Sequence, residues 1–417
     1  MATTAKRDGD ASSSGSVGRL PPFELERFFA KYEFTAPYIA LSVGIVNIMQ
    51  LTQMNANSQC ASDMQAMSLK ELLDMADDEC RQLWDNLLLM YTETQGLPLL
   101  RREIIKQLYP ELHIENVNVL CPQEGIFLSM NALLAPHDHV IAVDPAYQSL
   151  TAVAESIGCE VSLWRCKEVR GSSSKPLVFD VDELENLVRP NTKLLVVNFP
   201  HNPTGFLPSQ DDWRRIVEFA RRHDLYLFSD EMYHGLESSP SLQLPAACRV
   251  YDKGVSLSGM SKTYGMPGVR LGWIASQDTG FLEKLSTMKD YTTICNAAPS
   301  EILALIALRN RHDIITRNLD IIRNNTRAVQ KFMDKHKDVF NFEAPVAGPI
   351  TFPKIIREGS MQNASVYAQH LVDEYGILIL PGDKYGNAET FGDRFRLSLG
   401  RKNIPEILSL WEKDFQD

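Results

Sequence analysis

Residues 256–273 read Ser-Leu-Ser-Gly-Met-Ser-Lys262-Thr-Tyr-Gly-Met-Pro-Gly-Val-Arg270-Leu-Gly-Trp. An apolar run ends in small residues around one lysine, and a second run, Arg270–Ala275, starts eight positions after it. Upstream the same rhythm repeats. His139–Val143, Glu160–Leu163, Lys193–Phe199, Leu225–Phe228 and Gly254–Leu257 read as strands, with helical stretches such as Asp182–Val188 and Asp211–His223 between them. Short apolar runs that alternate with helices predict an α/β fold whose mainly parallel sheet is covered on both faces. Ligands of such sheets sit in the crevice at the carboxyl ends of the strands. Downstream, a long helical region (about 298–337) leads into 345–417, where Ile350–Phe352, Ile377–Leu380 and Phe395–Leu399 read as strands of a smaller α+β unit. At the other end, Ser68 and Glu71 form an S-x-x-E capping box. Leu69, Leu72, Leu73, Ala76, Leu83 and Leu87 follow at helical spacing.

Composition narrows the function. Of 417 residues, 44% are apolar and 23% charged, which excludes disordered, collagen-like and heptad-repeat chains. A formal charge of −11 argues against a general nucleic-acid binder, which needs a basic face. Cys60, Cys80, Cys121, Cys159, Cys166, Cys248 and Cys295 are odd in number and scattered, as expected of reduced thiols in a cytoplasmic protein. His137 and His139 lack a third ligand nearby, so no metal is expected. Residues 1–20, rich in Ser, Gly, Ala and Thr, read as a disordered tail rather than a secretory signal. Residues 34–51 are mostly apolar, but Pro37, Ser42, Gly44 and Asn47 interrupt them; a buried helix-loop or channel wall is expected there, not a membrane span.

Four segments at predicted strand ends carry chemistry. Asn198-Phe-Pro-His-Asn202-Pro-Thr-Gly205 is a tight turn, in which Asn202 could simply cap a helix. Ser229-Asp230-Glu-Met-Tyr233 places a carboxylate at a strand end, where it could equally be an N-cap. Lys262 either forms a Schiff base, with Ser258, Ser261 and Arg270 near a phosphate, or is an exposed loop lysine. Arg396, inside the apolar run Phe395–Leu399, needs a partner anion, internal or substrate-borne.

Taken together and in this order, the segments resemble the class I/II aminotransferases of the pyridoxal-phosphate (PLP) fold type I, over about residues 68–400. The resemblance implies a mainly parallel seven-stranded sheet sandwiched by helices, with a smaller α+β domain. It divides the chain into the tail 1–20, an N-terminal segment 21–85 that joins the small domain, a large cofactor domain 86–305 and a small domain 306–417. Lys262 matches the lysine that binds PLP covalently and later moves the substrate α-proton. Asp230 matches the partner of the pyridine nitrogen, Asn202 and Tyr233 the residues bonded to the ring oxygen, and Arg270 the phosphate arginine. Tyr147 matches the ring-stacking aromatic and Arg396 the receptor for the substrate α-carboxylate. Tyr91 resembles a tyrosine that reaches the phosphate of a neighbouring subunit, which implies a homodimer.

Two departures touch the phosphate site. The loop Cys121-Pro-Gln-Glu-Gly125 contains Pro122, which has no N–H, so phosphate bonds fall to Gln123, Glu124 and side chains. Gly259 stands where the family often has serine, leaving Ser258 or Ser261 to serve. Residues 43–60 look inserted relative to the family pattern. FELERFFAKYEF (23–34) and KDYTTICNAAPSE (289–301) further resemble the subgroup of capreomycidine synthase and PLP-dependent arginine oxidases, enzymes of natural-product pathways. The expected activity is transfer of an α-amino group from an amino acid to a 2-oxo acid, with cyclase, lyase or oxidase chemistry as the alternative. A non-catalytic PLP-binding regulator is the remote one. No nucleic-acid or membrane partner is expected.

Overall fold

Seven strands make the central sheet: β1 (Val117–Leu120), β2 (His139–Asp144), β3 (Glu160–Arg165), β4 (Thr192–Asn198), β5 (Tyr226–Asp230), β6 (Gly254–Gly259) and β7 (Gly272–Ser276). They lie in the order β1-β7-β6-β5-β4-β2-β3. β3, β2, β4, β5 and β6 run parallel to their neighbours, and β7 is antiparallel to both β6 and β1. The mainly parallel seven-stranded sheet expected from the sequence is thus present. The structure is a computed structural model and describes residues 20–32, 62–169, 177–386 and 388–416. Most of the tail 1–20, the apolar stretch 34–51, the inserted-looking 43–60 and Cys60 lie outside the described residues.

Alternation along the strands builds two cores. Val140, Ala142, Leu194, Val196, Phe228, Val255 and Leu257 pack with helices α4 (Pro122–Leu133), α5 (Ser149–Ile157) and α7 (Thr279–Lys289). Their neighbours Ile141, Val143, Leu195, Val197 and Leu227 pack against Trp213, Ile216 and Phe219 of α6 (Gln210–Arg222). Both faces are therefore dry, which explains the near-continuous apolar runs. Burying each such side chain contributes about 1.5–3 kcal/mol.

The N-terminal helical pattern is two helices, α2 (Leu69–Asp74) and α3 (Asp78–Asp85). The Ser68 capping box is formed: Glu71 N–H donates to Ser68 Oγ (3.2 Å) and Ser68 N–H to Glu71 Oε2 (2.7 Å). The break comes because Asp77 caps a new helix, accepting from Cys80 N–H (2.8 Å). Likewise the region 298–337 divides at Asn310 into α8 (Ala298–Arg309) and α9 (Arg311–Lys335), where the Asn310 amide caps Ile306 O (2.8 Å). A second sheet has β10 (Phe395–Ser398) between β8 (Ile350–Thr351) and β9 (Leu380–Pro381), all antiparallel. Of the run Ile377–Leu380, only Leu380 enters that ladder; Ile377, Leu378 and Ile379 are buried beside it. Among the described residues, no helix is long and apolar enough to cross a membrane, and Cys80, Cys121, Cys159, Cys166, Cys248 and Cys295 are free thiols. His139 is a structural residue, hydrogen-bonded to Thr192 Oγ1 (2.7 Å) and Ser162 Oγ (2.8 Å).

β4 ends at Asn198 and β5 at Asp230, and these two residues pair in register. β6 ends at Gly259, three residues before Lys262. The parallel sheet thereby delivers three of the four singled-out segments to one edge.

Candidate active site

Asp230 is the last residue of β5, two positions beyond Phe228, so it projects towards the α4 side of the sheet. It is 6% exposed and accepts a hydrogen bond from Met232 N–H (3.1 Å). Burial pushes its carboxyl up to about 7, against the opposing pull of the Met232 N–H and the Lys262 charge. Asn198 sets the following turn against it. Its amide donates to Asp230 O (2.9 Å), and its Oδ1 accepts from Asn202 N–H (2.9 Å).

Lys262 lies in the loop after β6, and its Nζ donates to Ser62 Oγ (2.7 Å). Burial pulls the amine down to about 8. The positive charges of Arg396, Arg270 and Arg401 add to that pull, and Asp63 opposes it. At pH 7 about a tenth of such an amine is neutral, against fewer than one in a thousand for an ordinary lysine. A neutral amine is the nucleophilic form.

Arg396 enters from β10, 3% exposed. Its Nη1 donates to Asn202 Oδ1 (3.0 Å) and is bonded to the Tyr385 hydroxyl. Tyr385 in turn donates to Asn202 Oδ1 (2.9 Å), and the Arg396 guanidinium lies 5.7 Å from the centre of its ring. Tyr233 is buried, which raises its hydroxyl pKa; Arg396 and a hydrogen bond with Ser62 favour its ionised form.

At the other end of the site, Arg270 adopts φ +54° and donates through Nη2 to Cys121 Sγ (3.2 Å). That left-handed turn takes Arg270 off the strand predicted to contain it, and β7 starts at Gly272. Cys121 precedes α4, whose first residue is Pro122. Gly125 N–H is committed to Cys121 O (2.9 Å), so the first-turn N–H groups left for an anion are those of Gln123 and Glu124. The Glu124 carboxylate accepts from the hydroxyls of Thr292 and Thr293. The two sequence departures meet in the structure. A Cβ on Gly259 would lie 2.9 Å from Pro122 Cγ, and one on Gly272 2.7 Å from it. The strand backbone demands the same: the Cβ on Gly272 would also lie 2.4 Å from Ser258 O, and the one on Gly259 2.9 Å from Gly272 Cα.

The predicted residues do not all converge. Ser261 is buried in the lysine loop. Ser258 alternates with Leu257 and opens instead on a small cavity with Tyr109, Glu231, His234 and Arg311, on the face away from Asp230, and is not brought to the phosphate end. Tyr147 packs on Phe23 (ring centres 5.1 Å apart), and its hydroxyl is influenced by both Asp230 and Arg270. Tyr91 is 87% exposed, in an apolar strip with Leu88, Leu89 and Met90. Sequence reasoning missed Tyr385, Ser62, Asp63 and Arg401. Tyr385 had a faint signal, an aromatic in Pro-Gly-Asp-Lys-Tyr-Gly (381–386), whereas Ser62 lies in a polar stretch without periodicity.

Residues 54–408 match the family described as aminotransferase class I and II. The chain belongs to that family. It is 28% identical over 276 residues to capreomycidine synthase of Streptomyces vinaceus, covering 66% of this chain and 67% of that one. Among solved structures, a PLP-dependent aminotransferase from Streptococcus suis superposes with a TM-score of 0.82 at 25% identity, over 95% of this chain and 98% of the other. A PLP-dependent cyclase, OrfR, shares the fold with a TM-score of 0.80 at 23% identity, over 95% and 98%. This aminotransferase-family chain is a PLP-dependent transferase, and its cofactor is pyridoxal phosphate. The residues present fit that group. A buried carboxylate held near neutrality calls for a cation beside it, and an amine depressed to about 8 suits condensation with an aldehyde.

Proposed function

We propose that the enzyme transfers the α-amino group of an amino acid to a 2-oxo acid. The observation that carries this reading is the meeting of buried Arg396, from the second sheet, with Asn202, from the turn that follows β4, at the site of Lys262 and Asp230. Bound there, the cofactor supplies an aldehyde that condenses with amines and an electron-poor ring that stabilises negative charge at the substrate α-carbon. Asp230 would keep positive charge on the ring nitrogen. Asn202 and Tyr233 would bond the ring oxygen, and Tyr147 would stack on the ring. Arg270, Ser261 and the N–H groups of Gln123 and Glu124 would hold the phosphate. Lys262 would bind the cofactor covalently, then move the proton between the substrate α-carbon and the cofactor's aldehyde carbon. Arg396 would grip the substrate carboxylate through its planar fork. Donor and acceptor share one site in turn, which gives ping-pong kinetics.

The large cofactor domain (86–305), the small domain (306–417), the segment 21–85 that joins it and the cytoplasmic location are part of the same reading. So is a homodimer. Leu88, Leu89, Met90 and Tyr91 expose 69–87% of their surface. Beside them Tyr291 and Ile294 are 89% and 51% exposed, and Lys289 ties the two loops together by donating to Thr94 O (2.6 Å). An apolar strip of this kind supports a partner subunit, with Tyr91 reaching its phosphate.

The test is stoichiometry. With the cofactor, a donor amino acid and a 2-oxo acid, one new 2-oxo acid is expected per new amino acid. A second reading, cyclisation, elimination or oxidation at the same carbon in a natural-product pathway, is favoured by the likeness to capreomycidine synthase; it would consume the amino acid without that equivalence. Arg396→Ala is expected to lower kcat/KM for the amino acid by about 10²-fold or more, as loss of one partner of a buried charged pair costs 2–5 kcal/mol. Cofactor affinity should stay within a few-fold; equal loss of both would refute the assignment.

A further inference from the structure

Residues 62–65 cross the site as a strap that is tied down on three sides. Gln65 N–H donates to Gly400 O (2.7 Å), and Lys402 N–H donates to Gln65 Oε1 (3.2 Å). From α9, Arg317 Nη1 donates to Gln65 O (3.1 Å). Asp63, 5% exposed, accepts from Arg401 Nη2 (2.7 Å). The approach is too close for side chains. A Cβ on Gly400 would lie 2.3 Å from Asp63 O, and one on Gly265, in the lysine loop, 3.0 Å from Gln65 O. Met64 is wholly buried and packs with Tyr233, Leu236 and Ile350. A strap so fixed leaves Ser62 little freedom, and its hydroxyl meets both Lys262 Nζ (2.7 Å) and the Tyr233 hydroxyl.

We propose that Ser62 is a positioning residue that couples Lys262 to Tyr233, accepting a hydrogen bond from the lysine amine and donating one to the tyrosine oxygen. This rests on the roles given above to Lys262 and Tyr233. A hydroxyl has one donor and two acceptor sites, so both bonds are made at once. Held through an N–H, the free amine keeps its lone pair available for a proton. Donation to Tyr233 makes that tyrosine the stronger donor to the cofactor oxygen, since linked hydrogen bonds polarise one another. The charged groups that face Lys262 are Asp63 on the strap, Asp230 at the end of β5, Arg270 in the lysine loop, and Arg396 and Arg401 from the β10 side. Ser62→Ala removes none of them.

The wild-type holoenzyme, S62A and S62T are compared for kcat, KM, covalent cofactor content and the pH at which the visible absorbance of the bound cofactor titrates. S62A is expected to lower kcat about tenfold with KM within about twofold, a fraction of what general acid–base groups contribute. Its absorbance midpoint should rise by about half a pH unit or more, because a weaker donor at the cofactor oxygen raises the proton affinity of the linked nitrogen. Cofactor content should be unchanged, and S62T should restore both readouts. An S62A enzyme identical to wild type in kcat and midpoint would overturn the proposal alone, as would S62T behaving like S62A. A wild type that carries no covalent cofactor at Lys262 would overturn the reading of the site, and the proposal with it.

Discussion

Lys262→Ala is expected to cut turnover by about 10⁴-fold or more and to leave the cofactor bound without a covalent link. Two losses combine. One is the covalent bond to the protein, whose amine the site has already prepared: burial and three arginines lower it to about 8. The other is a base positioned to move a proton, which contributes about 10²–10⁴-fold. Cofactor content after denaturation separates this from misfolding. Wild type should retain the group on the peptide containing Lys262 after borohydride reduction, and the variant should lose it on unfolding. Covalent cofactor persisting in the variant would place the link on another residue. The alanine should not harm the fold, because it removes a buried amine whose charge is disfavoured there. With a folded pKa below the unfolded one, that amine costs stability at pH 7 and ceases to do so only as pH rises above its unfolded pKa.

The second large effect is at Asp230. Asp230→Asn should lower kcat by about 10³-fold, the scale of removing a preorganised charge from a reacting centre. The amide keeps the shape but cannot hold a proton on the ring nitrogen by charge. The same substitution should change the pH dependence of the cofactor-free protein in the opposite sense, towards stability. Burial raises the Asp230 pKa from 3.8 to about 7. A carboxyl whose folded pKa lies above its unfolded one binds more protons when folded. Its stabilising contribution is present below about pH 4 and is lost as pH rises to about 7, an upper bound of about 4 kcal/mol. The asparagine variant should lack this loss. Thermal unfolding of the two stripped proteins between pH 4 and 8 checks it; parallel curves would mean that Asp230 has another cation beside it.

These outcomes depend on features that reach very different distances along the chain. Asp230, Lys262 and Arg270 each stand beside a local signal: an apolar run that ends abruptly, then small or charged residues. Strand periodicity and capping are short-range, so six of the seven central strands and the helical regions were legible, whereas β1 and the breaks at Asp77 and Asn310 were not, the breaks depending on side-chain caps that read as ordinary polar residues. The paired oddities Pro122 and Gly259 were visible but uninterpretable, because their contact joins a helix start to a strand end 137 positions apart in register-dependent space.

By itself, the sequence determined the sheet, its helical cover and the residue types at the strand ends, since period, turn chemistry and buried charge are properties of a few consecutive residues. Only the tertiary structure decided which of those residues meet. It turned Ser258 away by strand alternation and left Ser261 in the lysine loop. It also brought Tyr385 between Asn202 and Arg396, and Ser62 on to Lys262 across 200 residues of chain. The physical reason is that a hydrogen bond between distant segments leaves no periodicity and no composition behind; it exists only once both backbones have been fixed by the cores that carry them.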